Sequence, residues 1–118
     1  MGTFRVPLEV GDPQGQRFVR VEAIVDTGAS HTLLPRDILL TLGIRPRRRV
    51  AFELADDRIV EYDVGEAVLR LDGQEATIPV AFGPEGAKPL LGATALEILN
   101  LAADPVRRRL VPVPGLLK

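Results

Sequence analysis

Apolar and polar residues alternate over the first part of the chain, which is the pattern of a β-strand with one face in a core. Thr3 to Val10 predict a first strand, and Gln16 to Val25 predict a second whose alternation ends in a fully apolar run. The residues between them, 11–15, contain Gly, Asp and Pro and predict a turn. The chain therefore begins with two strands joined by a turn.

The rest of the chain predicts short strands and two short helices. The predicted helices are Pro35 to Leu42 and Thr94 to Leu99, and the predicted strands are Val50 to Leu54, Arg58 to Val64, Ala67 to Leu71, Glu75 to Phe82 and Arg109 to Val113. Pro at the start of the first helix and Gly43 after it are typical helix boundaries. Asp72-Gly73 predicts the turn of a hairpin. Many short strands at this spacing indicate a mostly β, closed, barrel-like fold.

Composition narrows the class of protein. The 118 residues predict one domain over 1–118, with 46% apolar residues and a net charge of -1, which argues against a nucleic-acid-binding face. The absence of cysteine excludes disulfides and thiolate metal sites. No leader-like apolar segment precedes the first strand and no apolar run reaches membrane-spanning length, so we expect a cytoplasmic protein without a membrane partner.

The most informative motif is Asp26-Thr27-Gly28, which follows the apolar end of the second predicted strand. A carboxylate on a tight, Gly-containing turn after a strand is well placed for chemistry. Two such carboxylates facing each other form an acid and base pair that can activate water. The chain carries one copy of the motif, so a second carboxylate has to come from elsewhere.

The segment 23–30, Ala-Ile-Val-Asp-Thr-Gly-Ala-Ser, resembles the active-site segment of retropepsin-like, retroviral-type aspartic proteases. Leu90-Leu91-Gly92, whose glycine lies 64 residues after Gly28, resembles the second signature of that family. The resemblance spans roughly Phe4 to Val113. Within the family, the chain is most similar to the small single-domain bacterial and archaeal members. It implies an acid-protease fold with one lobe per chain.

The resemblance also implies a mechanism. In such enzymes two Asp carboxylates share one proton, one activating water and the other donating to the scissile carbonyl oxygen. With one Asp26 per chain, this implies a homodimer that hydrolyses peptide bonds of peptide or protein substrates without a cofactor. The alternative is a non-catalytic dimeric module on the same fold that binds peptides or acts as a scaffold. Thr27 and Gly28 favour the enzyme, because a scaffold does not need the whole triplet.

Roles for the neighbouring residues follow from the resemblance alone. Thr27 bonds across the two-fold axis and Gly28 keeps the turn tight. The hairpin from Glu53 to Arg58 matches the flap that closes over substrate. The residues assigned to substrate binding are Ala29, Ser30, Leu54, Ala55 and Asp56, and those assigned to support of the Asp26 loop are Leu90, Leu91 and Gly92.

The sequence departs from the viral pattern at the flap and at one ion pair. Asp56-Asp57 occupies the flap tip, where retroviral flaps are rich in Gly. Ser30 and Ala93 stand where retroviral enzymes often have an Asp and an Arg whose ion pair supports the dimer. The dimer is therefore expected to depend on other contacts.

Other motifs have simpler interpretations. Asp26-Thr27-Gly28 is also compatible with a plain Asx-type turn. His31 is the only histidine and the chain has no cysteine, so a metal site is not expected and His31 is predicted to be a partly exposed loop residue. The arginine runs within 45–49 and 107–109 are typical of solvated surface when total charge is balanced. Asp56, Asp57 and Asp63 lack the spacing of a calcium loop and predict a polar turn.

Overall fold

The computed structural model describes residues 3–117, which form nine strands and two short helices. In chain order the elements are β1 (Phe4–Gly11), β2 (Phe18–Val25), β3 (Thr32–Pro35), α1 (Arg36–Thr41), β4 (Arg48–Glu53), β5 (Ile59–Leu71), β6 (Gln74–Gly83), β7 (Leu90–Leu91), α2 (Ala93–Ile98), β8 (Leu101–Asp104) and β9 (Arg109–Pro112). The predicted mostly β composition with two short helices is confirmed.

Seven of the strands form one sheet that closes on itself. Its order is β1-β2-β7-β3-β6-β5-β4, and β1 also pairs with β5 through Glu9 opposite Arg70 to Gly11 opposite Val68. The ring therefore contains six strands, and β4 extends outward from it as half of the β4–β5 hairpin. The remaining strands, β8 and β9, form a separate two-stranded sheet. The predicted closed, barrel-like arrangement is confirmed.

The core fills the interior of the ring and follows the alternation seen in the sequence. Along β1, Phe4, Val6, Leu8 and Val10 are buried, whereas the residues between them are exposed or half-buried. Burial of one such side chain contributes about 1.5–3 kcal/mol. The largest fully buried side chains are Leu8, Leu34, Leu39, Ile44, Leu69, Ile78, Leu91, Leu99, Val10, Val80 and Thr32.

One strand assignment from the sequence is wrong. The predicted strands 58–64 and 67–71 are a single strand, β5, of 13 residues. Gly65 lies within β5, where a Cβ would come within 2.6 Å of the Arg45 carbonyl oxygen. The glycine permits close backbone approach rather than a turn.

Both predicted helices are present, each six residues long. Pro35 caps the N-terminus of α1 in an extended conformation, and Gly43 follows its C-terminus with a φ of 75°. Leu39 anchors α1 in the core and is fully buried. Within residues 3–117, no helix is long and apolar enough to cross a membrane.

Asp12 organises the loop between β1 and β2. Its Oδ1 accepts backbone N–H bonds from Gln16 at 2.7 Å and from Arg17 at 2.9 Å. The Arg17 N–H bond is the main reason that the pKa of Asp12 lies below its ordinary value, and partial burial opposes that shift. The ionised carboxylate therefore stabilises the folded loop.

We expect the Asp12→Asn variant to have a lower free energy of unfolding than the wild type at pH 7. Because the folded-state pKa is depressed, the contribution of the carboxylate is present above the unfolded value and is lost as pH falls through the folded value, below about 4. Asn retains an oxygen that can accept the same two backbone hydrogen bonds, so the variant measures the effect of removing the negative charge. Urea unfolding between pH 7 and pH 2.5 measures the difference, and a deficit that does not change with pH contradicts this account.

Candidate active site

Asp26 lies in the loop that follows β2, half-buried and fixed at both its backbone and its side chain. Its N–H donates to the Leu91 carbonyl oxygen at 3.0 Å, and its own carbonyl oxygen accepts from the Ala29 N–H at 3.2 Å. The Gly28 N–H donates to Asp26 Oδ1 at 3.0 Å. These bonds orient the carboxylate before any ligand is present.

Strand β7 lies directly beneath this loop. Leu90 and Leu91 pair in parallel with Ile24 and Val25 at the end of β2, and Leu90 also pairs with Leu33 of β3. The side chain of Leu91 is fully buried. The structure therefore brings together two segments of sequence that are more than sixty residues apart.

The start of α2 is joined to the Asp26 loop by main-chain hydrogen bonds. The Ala93 N–H donates to the Ala29 carbonyl oxygen at 2.7 Å, and the Thr94 N–H donates to the Ser30 carbonyl oxygen at 3.1 Å. These donors belong to the first turn of the helix, where N–H groups have no partner within the helix. The carbonyl oxygens of the loop therefore accept hydrogen bonds from two N–H groups of the helix, and the same bonds hold the loop in place.

Gly92 permits this close contact. A Cβ at this position would lie 2.3 Å from the His31 carbonyl oxygen and 2.9 Å from the Ala29 carbonyl oxygen. The Gly92 N–H donates to Thr32 Oγ1 at 3.1 Å, and Thr32 is 1% exposed. Thr32 was not predicted as a site residue; the available signal for a buried hydrogen bond was a hydroxyl residue directly before the apolar pair Leu33-Leu34.

A groove of about 390 Å³ separates the Asp26 loop from the β4–β5 hairpin. Its lining consists of Gly28, Ala29, Ser30, His31, Leu33, Ala51, Phe52, Glu53, Leu54, Tyr62, Ala81 and Leu90. Of the residues assigned to substrate binding, Ala29, Ser30 and Leu54 line this groove. Ala55 and Asp56 lie outside it, at the exposed end of the hairpin.

Aromatic contacts join the Asp26 loop to the hairpin across this groove. The His31 ring meets Phe52 edge-on with centroids 5.0 Å apart, and Phe52 lies 6.2 Å from Tyr62. Ser30 Oγ and His31 Nδ1 are 2.8 Å apart and share a hydrogen bond. His31 is half-buried, as expected for a partly exposed loop residue, but its contact with Phe52 was not predicted.

The end of the hairpin is closed by local contacts. The Leu54 N–H donates to the Arg58 carbonyl oxygen at 2.8 Å, and Asp57 adopts a φ of 69°. Arg58 Nε lies 2.7 Å from Asp56 Oδ2 in an ion pair whose side chains are both more than half exposed. Such exposed pairs contribute about 0–1 kcal/mol, so the tip is held mainly by its own local hydrogen bonds.

Two further clefts include Thr27 in their lining. One, of about 360 Å³, is lined by Thr3, Phe4, Val25, Asp26, Thr27, Ala103 and Pro105. The other, of about 510 Å³, is lined by Thr27, Ala93, Leu96, Glu97, Asn100, Leu101, Ala102, Ala103, Val113, Pro114, Gly115 and Leu116. Thr27 and Ala103 belong to both, so β8 and the end of the chain lie next to the loop that carries Asp26.

Within residues 3–117, no group of three or more His, Cys, Asp or Glu side chains is placed to hold a metal ion. Two acidic residues of the hairpin instead pair with arginines. Asp56 pairs with Arg58, and Asp63 pairs with Arg49 at 3.3 Å. The structure therefore gives these carboxylates partners within the chain.

Comparison with known proteins places this geometry in context. The profile of the family described as aspartyl protease matches residues 6–95, more than half of the chain. The structure is similar to the simian foamy virus (mac) protease, with a TM-score of 0.53 and 21% identity over 77% of this chain and 91% of that chain. It is also similar to the foamy viral protease-reverse transcriptase solved with an RNA/DNA hybrid, with a TM-score of 0.56 and 15% identity over 78% of this chain and 11% of that chain.

No curated protein sequence matches the chain. At 21% and 15% identity, the likeness to the two viral structures concerns the fold. The predicted acid-protease fold with one lobe per chain is confirmed.

Proposed function

Since this chain belongs to the aspartyl protease family, we propose that it is a homodimeric aspartic endopeptidase in which two copies of Asp26 form one active site. The family and the fold support peptidase activity in general terms. The identity of the catalytic residues and the dimer are the proposal. A single observation carries it: the half-buried carboxylate of Asp26 is held by the N–H of Gly28, and Gly28 itself lines a groove of about 390 Å³.

The proposed reaction needs two carboxyl groups in opposite protonation states. The ionised carboxylate of one Asp26 accepts a proton from water, whose oxygen adds to the carbonyl carbon of the peptide bond. The protonated carboxyl of the partner's Asp26 donates its proton to the carbonyl oxygen. When the tetrahedral intermediate collapses, the C–N bond breaks, the Asp26 that took the proton from water passes it to the leaving amine, and the partner's ionised Asp26 takes a proton from a hydroxyl of the intermediate. One chain supplies one carboxylate, so the dimer is part of the mechanism.

The surrounding residues acquire roles under this proposal. Thr27, which is next to Asp26 and exposed, would contact its copy in the partner across the two-fold axis. Gly28 orients the carboxylate through its N–H. The Asp26 loop would be supported from below by Leu90 and Leu91, which pair with the end of β2, and by Gly92, which contacts the loop closely. These are positioning residues, because they act through Asp26.

Substrate contacts are proposed for the groove and the hairpin. Ala29, Ser30 and Leu54 line the groove and would contact the bound peptide. The β4–β5 hairpin would serve as a flap, and the exposure of residues 55–59 at its tip supports such a movement. Closure of the flap would bring Ala55 and Asp56 to the substrate, so their assignment stays a prediction.

Mixing active and inactive chains tests the shared site. We expect the activity of mixtures of wild-type and Asp26→Asn chains, at constant total concentration, to follow the square of the wild-type fraction. An equal mixture should retain about a quarter of the activity, because only dimers of two wild-type chains hold both carboxylates. The chains are allowed to exchange before cleavage of a mixed peptide library is measured.

Other models predict a different dependence of activity on the wild-type fraction. Activity proportional to the wild-type fraction would mean that each chain acts alone and would contradict the shared site. Peptide binding without cleavage by the wild type at any pH would favour the non-catalytic module. An Asp72→Asn chain, altered in an exposed turn, replaces Asp26→Asn as the mixing control and should leave activity unchanged.

A further inference from the structure

The arginines that lead into β4 differ in what surrounds them. Arg49 pairs with Glu61 at 3.4 Å and with Asp63 at 3.3 Å. Arg47 and Arg48 are exposed, and in the described part of the chain, residues 3–117, neither forms an ion pair with a carboxylate. Their guanidinium groups are therefore available to an anion from another molecule, whereas that of Arg49 is already neutralised by its own chain.

These two arginines line a cleft of about 310 Å³, here called the arginine cleft. The other residues of its lining are Val64, Gly65, Glu66 and Pro79. Two cationic side chains and one anionic side chain therefore surround the same space. The excess of positive charge favours an anionic ligand.

The main chain that carries the two arginines is fixed against β5. The Arg47 N–H donates to the Val64 carbonyl oxygen at 2.8 Å, and Arg48 is paired with Val64 in the β4–β5 ladder. The Arg45 carbonyl oxygen approaches Gly65 so closely that a Cβ there would lie 2.6 Å from it. Only the two side chains have to be ordered when an anion binds, which keeps the entropic cost of binding low.

The arginine cleft adjoins the groove beside the Asp26 loop. Val64 in the lining of the cleft is paired with Ala81 in the lining of the groove. Such cross-strand partners lie about 5 Å apart on one face of a sheet. Strand β4 also connects the two sites, because Arg48 lines the cleft and Ala51 lines the groove, about 10 Å further along the strand. An extended peptide that leaves the groove along β4 would reach Arg48 within about three residues.

We propose that the arginine cleft is an accessory substrate site that binds acidic side chains a few residues away from the cleaved bond. The inference rests on the proposed function and names its substrate class: peptides with an apolar centre, which suits Leu33 and Phe52 in the groove, and with Asp or Glu on the flanks. The planar guanidinium group of arginine binds a carboxylate through two parallel hydrogen bonds. In a two-fold dimer both halves of the substrate meet the same surface, so acidic residues are favoured on both sides of the bond.

An acidic peptide fits this surface better than a nucleic acid does. Glu66 in the cleft and Glu53 in the groove would repel the evenly spaced phosphates of a nucleic acid, whereas a peptide can carry negative charge only where the arginines lie. The net charge of the chain is -1, so it has no broad positive field. Within residues 3–117, β4 pairs with β5 alone, which leaves its other edge able to bond an extended peptide.

The test measures peptide binding by fluorescence anisotropy in the Asp26→Asn chain, so that the probe is not cleaved. The probes are a labelled peptide with an apolar centre and glutamates on both flanks, and the same peptide with glutamines in their place. Adding Arg47→Gln with Arg48→Gln should raise the Kd of the Glu-flanked peptide by about ten-fold at low ionic strength, since exposed ion pairs are lost on both flanks. The Kd of the Gln-flanked peptide should stay unchanged.

The matched control is Arg5→Gln with Arg20→Gln. These arginines are exposed on β1 and β2, so the control removes the same charge away from the arginine cleft and should bind both peptides like the parent chain. Arg47 and Arg48 are exposed, so their Gln variant should fold normally, which circular dichroism will verify.

Three results would overturn the inference. The first is equal binding of the Glu-flanked and Gln-flanked peptides by the parent chain. The second is an unchanged Kd for the Glu-flanked peptide when Arg47 and Arg48 are replaced. The third is a single-stranded RNA that binds more tightly than the Glu-flanked peptide and depends on the same two arginines, which would make the cleft a nucleic-acid site.

Activity separates this inference from the proposed function. With Asp26 intact, replacing Arg47 and Arg48 by Gln should raise KM for the Glu-flanked peptide by about ten-fold and leave kcat unchanged, because the arginines contact the flanks and not the reacting atoms. Cleavage that depends on Asp26 but not on flanking charge removes the accessory site and leaves the proposed protease. Charge-dependent binding without cleavage removes the proposed protease and leaves the arginine cleft as a peptide-binding site.

Discussion

Replacement of Asp26 by Asn is expected to lower kcat/KM for peptide cleavage by about 1000-fold, within the range that positioned acid and base groups contribute. An amide has nearly the shape of a carboxylic acid, and its oxygen can still accept the Gly28 N–H that now bonds Oδ1. It cannot accept a proton from water at neutral pH. Because every dimer would carry the change twice, no active site would keep a general base.

The control for this variant is Asp72→Asn. Asp72 is exposed in the β5–β6 turn with a φ of 50°, a conformation that Asn tolerates well, so fold and activity should be unchanged. Cleavage of a mixed peptide library, followed by mass spectrometry, gives the rates, and circular dichroism with sedimentation verifies fold and dimer. Undiminished cleavage by purified Asp26→Asn protein would end the aspartic protease assignment of this site.

Replacement of Gly92 by Ala is expected to reduce the free energy of unfolding by about 3 kcal/mol, at the upper end of the usual cost of overpacking. The added methyl group would lie 2.3 Å from the His31 carbonyl oxygen, and backbone atoms cannot move aside as a flexible side chain can. Relief of the clash would push α2 away from the loop. The hydrogen bond from the Gly92 N–H to Thr32 would weaken, leaving a buried hydroxyl poorly satisfied.

Gly86→Ala is the matched control for the clash. Gly86 has a φ of 76° and open space around its Cβ position, so alanine there costs about 1 kcal/mol through backbone strain alone. Urea unfolding of both variants at pH 7 separates the two effects. If Gly92→Ala proves no more destabilising than Gly86→Ala, the close contact between Gly92 and His31 is not what holds the loop.

The local signals in the sequence were enough to predict most of the ring and both helices. Alternation revealed β1 and β2, and the Asp72-Gly73 turn joins β5 to β6 as expected. Strands β3, β7 and β8 were missed because they contain only four, two and four residues. Segments this short show no alternation, and they are strands only because neighbouring strands supply their hydrogen bonds.

The candidate site was predictable in part for a similar reason. Asp26 and Gly92 belong to motifs that can be read along the chain, and the structure brings them together. The contact of His31 with Phe52 depends on how the loop after β2 faces the hairpin, which no local pattern encodes. Thr32 was missed because its hydroxyl gains a hydrogen-bond partner only when the fold brings the Gly92 N–H next to it.

The bonds between α2 and the Asp26 loop have an evolutionary consequence. They join main-chain atoms of Ala93 and Thr94 to those of Ala29 and Ser30, so they place no demand on the side chains at those four positions. Substitutions can accumulate there, including the loss of a charged pair, while the geometry of the carboxylate is inherited unchanged. Among related chains, these bonds should therefore tolerate divergence at Ala93 and Thr94 and resist it at Gly92, whereas Ala29 and Ser30 are also constrained by the groove that they line.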